Sequence, residues 1–250
     1  MEPFIIDSIV SGIDSIETGL AVDTLLPKRG YIYLTIDDSP LHGSRYVDSV
    51  IRAAGVTANI FLVGHTIHSS SIFKRNYELL KRNPLIEIYN HSYSHANHKY
   101  RNYYKNPTAV VADFEKNRSD FDITELIARL PGRNLWQVND KKKNYKQTGA
   151  EAAELLSQKG YNIFGWDIEW EYDAKDYTPL QTIEELLKEI DTLYDNSNCF
   201  TPDHIVLLMH DQMFSKKTEN NDLGMLIRKL QERGYRFESL RSYPTTQSEG

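Results

Sequence analysis

The chain contains a single cysteine, Cys199, so no disulfide can form within it and its fold must be stabilised by its apolar core. It also lacks an excess of basic residues, because 29 lysines and arginines stand against 35 aspartates and glutamates, a formal net charge of −6. Proteins that bind nucleic acid normally carry a basic surface that neutralises phosphates. The charge therefore argues against a nucleic-acid partner and favours a neutral or cationic substrate.

Long apolar runs are missing as well. No run approaches the roughly 18 residues that a membrane span needs, so we expect no span. The first twenty residues have no positively charged start and carry acids within their apolar stretch, which argues against a secretory signal. The compartment stays open between the cytoplasm and a secreted or periplasmic location reached through a signal that has been removed.

Internal repeats, low-complexity tracts and long Pro/Gly/Ser linkers are also absent from the sequence. The hydrophobic content of 40% is typical of globular proteins, and a single α/β barrel domain often has about this length. One domain is therefore expected.

The chain does contain an alternation of short β-branched and aromatic runs with segments of helical period, which is typical of parallel strands joined by crossover helices. The predicted strands are 31–36, 57–62, 86–89, 126–130, 162–166, 205–209 and 236–239. The predicted helices are 44–54, 72–82, 108–121, 148–159, 182–194 and 223–233. Gly55, Gly160 and Gly234 stand where left-handed C-caps are common, and 98–105 and 141–146 are predicted loops. The pattern predicts an α/β protein of about seven β/α units, a distorted (β/α)7–8 barrel.

Chemically capable residues cluster just after the predicted strands, where sheets of this type gather their catalytic groups. The residues at these strand ends are Asp37, Asp38, His91, His95, Arg129, Asp167 and His210. The clustering indicates a functional site at one end of the sheet.

Two segments indicate a metal site. Asp37 and Asp38 are adjacent, and consecutive strand residues point to opposite sides, so one carboxylate can reach a metal while the other faces substrate or water. The alternative is an Asp-rich turn closed by Ser39-Pro40. His91 and His95 are four residues apart and would share one face of a helical turn, unless they are surface or hydrogen-bonded histidines. Two histidines and one aspartate are a ligand set typical of catalytic zinc, which keeps a position open for water.

Two further residues have a functional and a structural interpretation. Arg129 lies beside a rigid turn, where its planar guanidinium can orient a carboxylate, or it is a surface arginine. His210 ends an apolar strand and is placed to act as a general acid, or it is a structural hydrogen-bonding residue.

The order and spacing of these segments resemble the polysaccharide deacetylase family, also called the NodB-homology or carbohydrate esterase family 4 domain, over about residues 30–240. The family's T-F-D-D-G-P is similar to TIDDSP at 35–40, and H-S/T-x-x-H is met in full by HSYSH at 91–95. R-x-P-x-G is partly met by RLPGR at 129–133, and L-x-H is met at 208–210. Residues 1–29 would then be an N-terminal extension that packs on a NodB-like barrel, and 241–250 a C-terminal tail.

The resemblance implies a role for each matching residue: Asp37 as general base, Asp38, His91 and His95 as metal ligands, Arg129 as the group that orients Asp37, His210 as general acid, Leu208 as the lining of the acetyl pocket, and Gly132 as the amide that holds the oxyanion. Ser92 would brace the histidine loop.

The chain departs from the family's motifs in three places. Ser39 replaces a glycine, and Gly132 and Arg133 stand where an aromatic residue and a glycine are usual. The fourth motif, D-x-x-D-W, is the poorest match. The supporting acid of His210 would be Asp167, Glu169 or Asp173, with Asp167 preferred, and the pocket tryptophan would be Trp166 or Trp170.

The resemblance implies a zinc-dependent hydrolase, with Co²⁺ and Ni²⁺ as other metals, that removes N-acetyl groups from an amino-sugar polymer or oligomer of the chitin, poly-N-acetylglucosamine or peptidoglycan type. The expected partner is thus an N-acetylated carbohydrate. The alternatives are an O-acetyl esterase or small-molecule amidohydrolase of the same fold, and a catalytically inactive carbohydrate-binding relative.

Overall fold

The computed structural model describes residues 28–216 and 221–244. Within them, strands β1 to β10 are Tyr31–Ser39, Ala58–Leu62, Ile86–Asn90, Ile127–Ala128, Trp136–Val138, Lys141–Lys143, Asn162–Ile163, Ile168–Glu169, His204–His210 and Arg236–Phe237. Helices α1 to α8 are Ser44–Ala54, Gly64–Ser69, Ser71–Lys81, Tyr100–Tyr103, Pro107–Asp120, Ala150–Gln158, Ile183–Asp195 and Leu223–Glu232. The predicted extension (1–29, apart from its last two residues) and the tail from 245 onward lie outside the described residues.

All ten strands belong to one sheet, in the order β6-β5-β7-β4-β3-β2-β1-β9-β8, with β10 paired to the first residues of β1. The pairings are parallel except those of β5 with β6 and β7. Crossover helices join most of the parallel strands, as the geometry of parallel pairing requires. The predicted distorted (β/α) barrel of the α/β class is confirmed. Among the helices of the described residues, none is both long and apolar enough to cross a bilayer.

Alternate residues of the central strands belong to two apolar clusters. One cluster joins one face of the sheet to the helices and includes Ile32, Leu34, Ile36, Ile205, Leu207 and Met209 with residues of α1, α7 and α8. The other lies on the opposite face and includes Tyr33, Phe61, Tyr89, Trp136, Phe164 and Val206. Because side chains alternate along a strand, Asp37 continues the row of Tyr33, and His210 continues the row of Val206. Both therefore end on the face away from the helices.

The predicted elements are present, with shifts at their ends. Helix α1 begins and ends at the predicted residues. Gly55, Gly160 and Gly234 have φ of 64°, 91° and 85°, so the predicted left-handed C-caps are confirmed. The strands predicted at 126–130 and 162–166 shorten to two residues each, and a turn closed by the Arg133 amide on the Leu130 carbonyl ends the first of them.

Two loop predictions are wrong. Within 141–146, Lys141–Lys143 is an edge strand that pairs antiparallel with Trp136–Val138. Its three exposed lysines give no apolar alternation, although lysine is common on sheet edges because it discourages further pairing. Within 98–105, Tyr100–Tyr103 forms a single helical turn, which is too short to show a helical period. The short elements α2, β5 and β8 were not predicted for the same reason.

Candidate metal centre and active site

The strand register brings the predicted catalytic residues together. In the parallel pair of β1 and β9, Asp37 lies directly opposite His210. Asn90 of β3 is paired with Ala128 of β4, so the residues that follow them, His91 and Arg129, are also neighbours. The carboxyl ends of β4, β3, β1 and β9, four of five consecutive strands of the sheet, thus present a carboxylate, two imidazoles and a guanidinium to one region.

Asp38 leaves the strand path through its backbone. Its φ is 65°, in the left-handed region that aspartate tolerates better than most residues, and the pairing of β1 with β2 shifts between Ile36 and Ser39. The left-handed residue is thus Asp38 rather than Ser39, the residue that replaces the family's glycine. This irregularity turns Asp38 away from the direction of Asp37.

The histidine segment is a loop rather than the predicted helical turn. Ser92 and His95 have φ of 68° and 48°, which no right-handed helix contains. Side chains hold this shape: Ser92 Oγ accepts from the His95 amide at 3.1 Å, Asn90 Oδ1 accepts from the Ser92 amide at 3.0 Å, and Asp113 Oδ2 accepts from the Ser94 amide at 3.1 Å. Ser92 therefore lies where the resemblance implied a brace.

Three potential ligand atoms converge in this region. One atom from each of Asp38, His91 and His95 lies within 4.8 Å of the others. Asp38 Oδ1 is 2.9 Å from His95 Nε2 and 3.4 Å from His91 Nε2. Ligands about 2.0–2.1 Å from a tetrahedral zinc are about 3.3–3.4 Å apart, so the spacing fits a single ion.

The hydrogen-bonding pattern also fits a cation. Among the described residues, no donor makes a hydrogen bond of normal geometry to the buried Asp38 Oδ1. His91 Nδ1 lies 2.8 Å from the Arg129 carbonyl oxygen, which can only accept, so Nδ1 carries the proton. The lone pair of neutral His91 is then on Nε2, which faces the carboxylates. The lone pair of His91 Nε2 thus faces the carboxylate oxygens of Asp37 and Asp38.

The charges explain how this cluster behaves without a metal. Burial acts to raise the pKa of Asp38, but His91 and His95 outweigh it, and this pKa lies well below its usual range. Burial acts to lower the pKa of His91, but the charges of Asp37 and Asp38 outweigh it and this pKa is raised. The cluster therefore attracts positive charge, either a proton or a cation.

Asp37 is held by a buried arginine. Arg129 Nη1 donates to Asp37 Oδ1 at 2.8 Å, and Arg129 is fully buried. The guanidinium also donates to the Thr35 hydroxyl and to the carbonyls of Phe164 and Gly165 at 2.7–3.1 Å. Asp37 Oδ2 remains directed at Asp38, His91 and His95, the predicted ligands that form the metal cluster, and lies 3.5 Å from His91 Nε2. The interpretation of Arg129 as a surface residue is thus wrong.

The acid beside His210 is Glu169. Glu169 Oε1 lies 3.9 Å from His210 Nδ1, an ion-pair distance rather than a hydrogen bond. Burial raises the pKa of Glu169, and the charge of His210 opposes this. Glu169 is paired in register with Leu208, which lies two residues before His210 on the neighbouring strand.

Asp167, the preferred supporting acid, is elsewhere. Its carboxylate accepts from the amides of Phe200 at 2.6 Å and Val206 at 2.9 Å, so it holds backbone rather than the imidazole. Asp173 accepts from the Lys175 amide within a turn. Asp167 and Glu169 are two residues apart and would share a face if both belonged to one strand. Strand β8 begins only at Ile168, however, so this alternation does not extend to Asp167. The structure thus contradicts the preference for Asp167.

Conservative variants distinguish these two acids. We expect Glu169→Gln to lower kcat about tenfold or more, because the protonated imidazole that acts as the acid loses a neighbouring negative charge. Asp167→Asn should leave kcat almost unchanged and lower the free energy of unfolding by about 1–3 kcal/mol, because one buried amide loses its acceptor. Steady-state rates and urea unfolding of both variants check this, and the opposite assignment of effects would contradict it.

The two candidate tryptophans of the acetyl pocket lie in different surroundings. Trp166 is half-buried, with its ring 5.8 Å from the Arg129 guanidinium, whereas Trp170 is fully buried in the core and donates to the Gln181 carbonyl. The structure thus leaves Trp166 as the tryptophan near the site. Leu208 is buried on the strand that carries His210, and Gly132 has a φ of 62°.

Sequence reasoning missed Tyr172 and Asp211 near the site, and it placed Tyr100 only within the predicted loop 98–105. The ring of Tyr172 lies 5.4 Å from that of His210, and Tyr100 meets the ring of His95 edge-on at 5.7 Å. Asp211 is fully buried, and its Oδ2 accepts from the Ser39 and Ser44 hydroxyls and the Leu41 amide, so it ties the loop after β1 to the end of β9. Burial raises the pKa of Asp211 to about 6. Only the adjacency of Asp211 to His210 was visible in the sequence.

A cavity of about 260 Å³ adjoins the metal cluster. It is lined by Asp38, Leu41, Val63, His65, Thr66, Ser69, Phe73 and His95. It thus offers space for a ligand directly beside two of the three predicted metal ligands.

Known proteins share the motifs and the fold. Residues 26–129, which include both aspartates, both histidines and Arg129, match the family model described as polysaccharide deacetylase. Curated proteins yield no match to the chain.

Solved structures share the fold at low sequence identity. A carbohydrate esterase family 4 enzyme from Streptococcus mutans is 20% identical over 84% of this chain and 85% of its own, with a TM-score of 0.60. The catalytic domain of a peptidoglycan N-acetylglucosamine deacetylase from Eubacterium rectale is 20% identical over 91% and 96%, with the same TM-score. A mutant of a family 4 pseudoenzyme is 17% identical over 84% and 66%, with a TM-score of 0.57. The fold is therefore common to active and inactive proteins. The resemblance seen in the motifs is confirmed in that residues 26–129 match the polysaccharide deacetylase family model and the described residues share the fold of carbohydrate esterase family 4 structures.

Proposed function

We propose that this protein is a metal-dependent hydrolase that removes N-acetyl groups from an acetylated amino-sugar polymer or oligomer of the chitin, poly-N-acetylglucosamine or peptidoglycan type. The observation that carries the proposal is the convergence of Asp38, His91 and His95 beside Asp37, which is paired in register with His210 on the adjacent strand. A cation site with a base on one side and an acid on the other is the minimum that metal-assisted amide hydrolysis needs.

Zinc is the metal that this donor set favours, since imidazole nitrogen and carboxylate oxygen are its usual ligands in catalytic sites. When bound, zinc supplies Lewis-acid polarisation of the acetamide carbonyl and lowers the pKa of water to about 7. Co²⁺ and Ni²⁺ accept the same ligands and are the alternatives.

The chain's own residues would move the protons. Asp37 Oδ2 takes a proton from the attacking water, while Arg129 fixes the carboxylate through Oδ1. The carbonyl oxygen gains negative charge as the tetrahedral carbon forms, and the Gly132 amide donates to it. His210 then protonates the departing sugar nitrogen as the C–N bond breaks, and Glu169 stabilises the imidazolium beforehand. The products are acetate and a free amino sugar.

Metal content and acetate release test the proposal together. We expect protein dialysed against zinc to hold about one equivalent and to release acetate from N-acetylglucosamine oligomers. A chelator should stop the release and zinc should restore it. His91→Ala should bind zinc at least about 10-fold more weakly, since it removes one of three protein ligands. His204→Ala is a matched control, because His204 lies at the opposite end of β9.

Other outcomes would redirect the proposal. Acetate from acetylated xylan alone would indicate an O-acetyl esterase. Stoichiometric zinc without acetate from N- or O-acetyl sugars would indicate an inactive carbohydrate-binding relative. Full activity in the presence of a strong chelator would contradict metal dependence.

A further inference from the structure

The turn after β4 has no side chain at Gly132, and a residue from another element fills the space. A Cβ built on Gly132 would lie 3.2–3.4 Å from three ring atoms of Tyr100. At this distance the ring is in close contact with the turn and covers it. Tyr100 belongs to α4, which follows the histidine loop.

Besides the Gly132 turn, two side chains contact the Tyr100 ring. It meets the His95 ring edge-on, with centroids 5.7 Å apart and planes at 89°. The Arg133 guanidinium carbon lies 5.7 Å from the Tyr100 centroid and 4.9 Å from that of Tyr104. Tyr100 therefore stands between a predicted metal ligand and the turn whose amide is predicted to hold the oxyanion.

The two departures from the third motif fit this arrangement. Gly132, where the family usually has an aromatic residue, leaves the room that the Tyr100 ring occupies. Arg133, where the family usually has a glycine, packs its guanidinium over Tyr100 and Tyr104. The turn has no aromatic side chain at Gly132, and the ring of Tyr100 from α4 lies against this position instead.

The Tyr100 side chain is suited to an uncharged ligand. It is half-buried, so part of the ring remains accessible. Its phenol carries no charge at neutral pH. Aromatic residues with one apolar face and one polar end are common where a site must hold a ligand that is itself part apolar and part polar.

On the basis of the proposed function, we propose that Tyr100 is the aromatic wall of the cleft, against which the pyranose ring that carries the acetamide packs. The apolar C–H face of the sugar lies on the phenol ring, and its acetamide points to the metal cluster. Tyr100 is thus a substrate-binding residue that determines affinity for an N-acetylated hexosamine rather than a group that moves a proton.

The test compares Tyr100→Ala, Tyr100→Phe and Tyr31→Ala. Tyr31 is a matched control, since it is half-buried at the opposite end of β1, where its ring stacks on His204. The probe is tetra-N-acetylchitotetraose. Its Kd is measured by calorimetry on zinc-loaded protein carrying Asp37→Asn, which suppresses turnover, and KM and kcat are measured with Asp37 intact.

We expect Tyr100→Ala to raise Kd and KM about tenfold or more, with a much smaller change in kcat, because it removes a ring contact made equally in the ground and transition states. Tyr100→Phe should stay within about threefold, since the ring is kept. Tyr31→Ala should leave both constants unchanged. Unchanged Kd and KM in Tyr100→Ala would overturn the proposal, as would a loss of zinc with unchanged affinity per zinc-loaded molecule, which would make Tyr100 only a support for His95.

The proposed function and this inference fail in different ways. If the protein binds the tetrasaccharide through Tyr100 but releases no acetate, the proposed function is contradicted and the role of Tyr100 in binding is not. If acetate is released and Tyr100→Ala changes neither Kd nor KM, only the role of Tyr100 is contradicted. Absence of tetrasaccharide binding at millimolar concentration would also overturn the role of Tyr100.

Discussion

Asp37→Asn is expected to lower kcat for acetate release by about 10²–10⁴-fold, the usual contribution of a positioned general base. The carboxamide cannot accept the proton of the attacking water, although it keeps the size of the carboxyl group. KM should change little, because the loss falls on the chemical step. Zinc content should stay near one equivalent, since Asp38, His91 and His95 are untouched.

The same variant should also lose stability, because Asp37 is the partner of the fully buried Arg129. The loss has an upper limit of about 3–5 kcal/mol, the cost of breaking a buried ion pair, since the Asn oxygen can still accept from Arg129. Assays must therefore run well below the variant's Tm. Asp48→Asn is a matched control, because Asp48 pairs with Arg52 on α1 at 3.1 Å. A kcat for Asp37→Asn within about threefold of the unmodified protein would exclude Asp37 as the base.

The sequence predicted the structure best where one periodic pattern indicates both the type of secondary structure and the face that it buries. The apolar alternation of β1 and β9 predicts that Asp37 and His210 end two strands, and parallel pairing of those strands then places the residues side by side. Both ends of helix α1 were predicted, and its C-terminal end was marked by Gly55, where the helical period stops. Local composition was sufficient in these cases.

Distant contacts could not be inferred in this way. The histidine loop depends on Asn90 and Asp113, whose hydrogen bonds replace the helical turn that the spacing of four had suggested. The choice between Asp167 and Glu169 depends on where β8 begins and on its register with β9, and a strand of two residues leaves no pattern to read. Tyr100 reaches Gly132 from a segment about thirty residues away, and no local pattern in the sequence predicts a contact over that separation.

Arg129 connects the Asp37 carboxylate to the fold. Its guanidinium makes four hydrogen bonds and lies 4.2 Å from the centroid of Phe61, in a region closed to water. Burial lowers the pKa of Arg129, and the charge of Asp37 opposes this. A planar group with five donors suits such a site, whereas a lysine ammonium cannot reproduce the geometry.

Arg129→Met is therefore expected to reduce the free energy of unfolding by about 3–5 kcal/mol, because Asp37 is left as a buried charge without its partner. Arg129→Lys should recover only part of this loss. Adding Asp37→Asn to Arg129→Met should restore stability relative to Arg129→Met alone, since no unpaired charge remains, while acetate release stays abolished. Urea unfolding of the single and double variants gives the coupling between the two residues. Additive losses would contradict a direct interaction, whereas recovery of stability without activity would show that the pair is kept for catalysis and not for the strength of the fold.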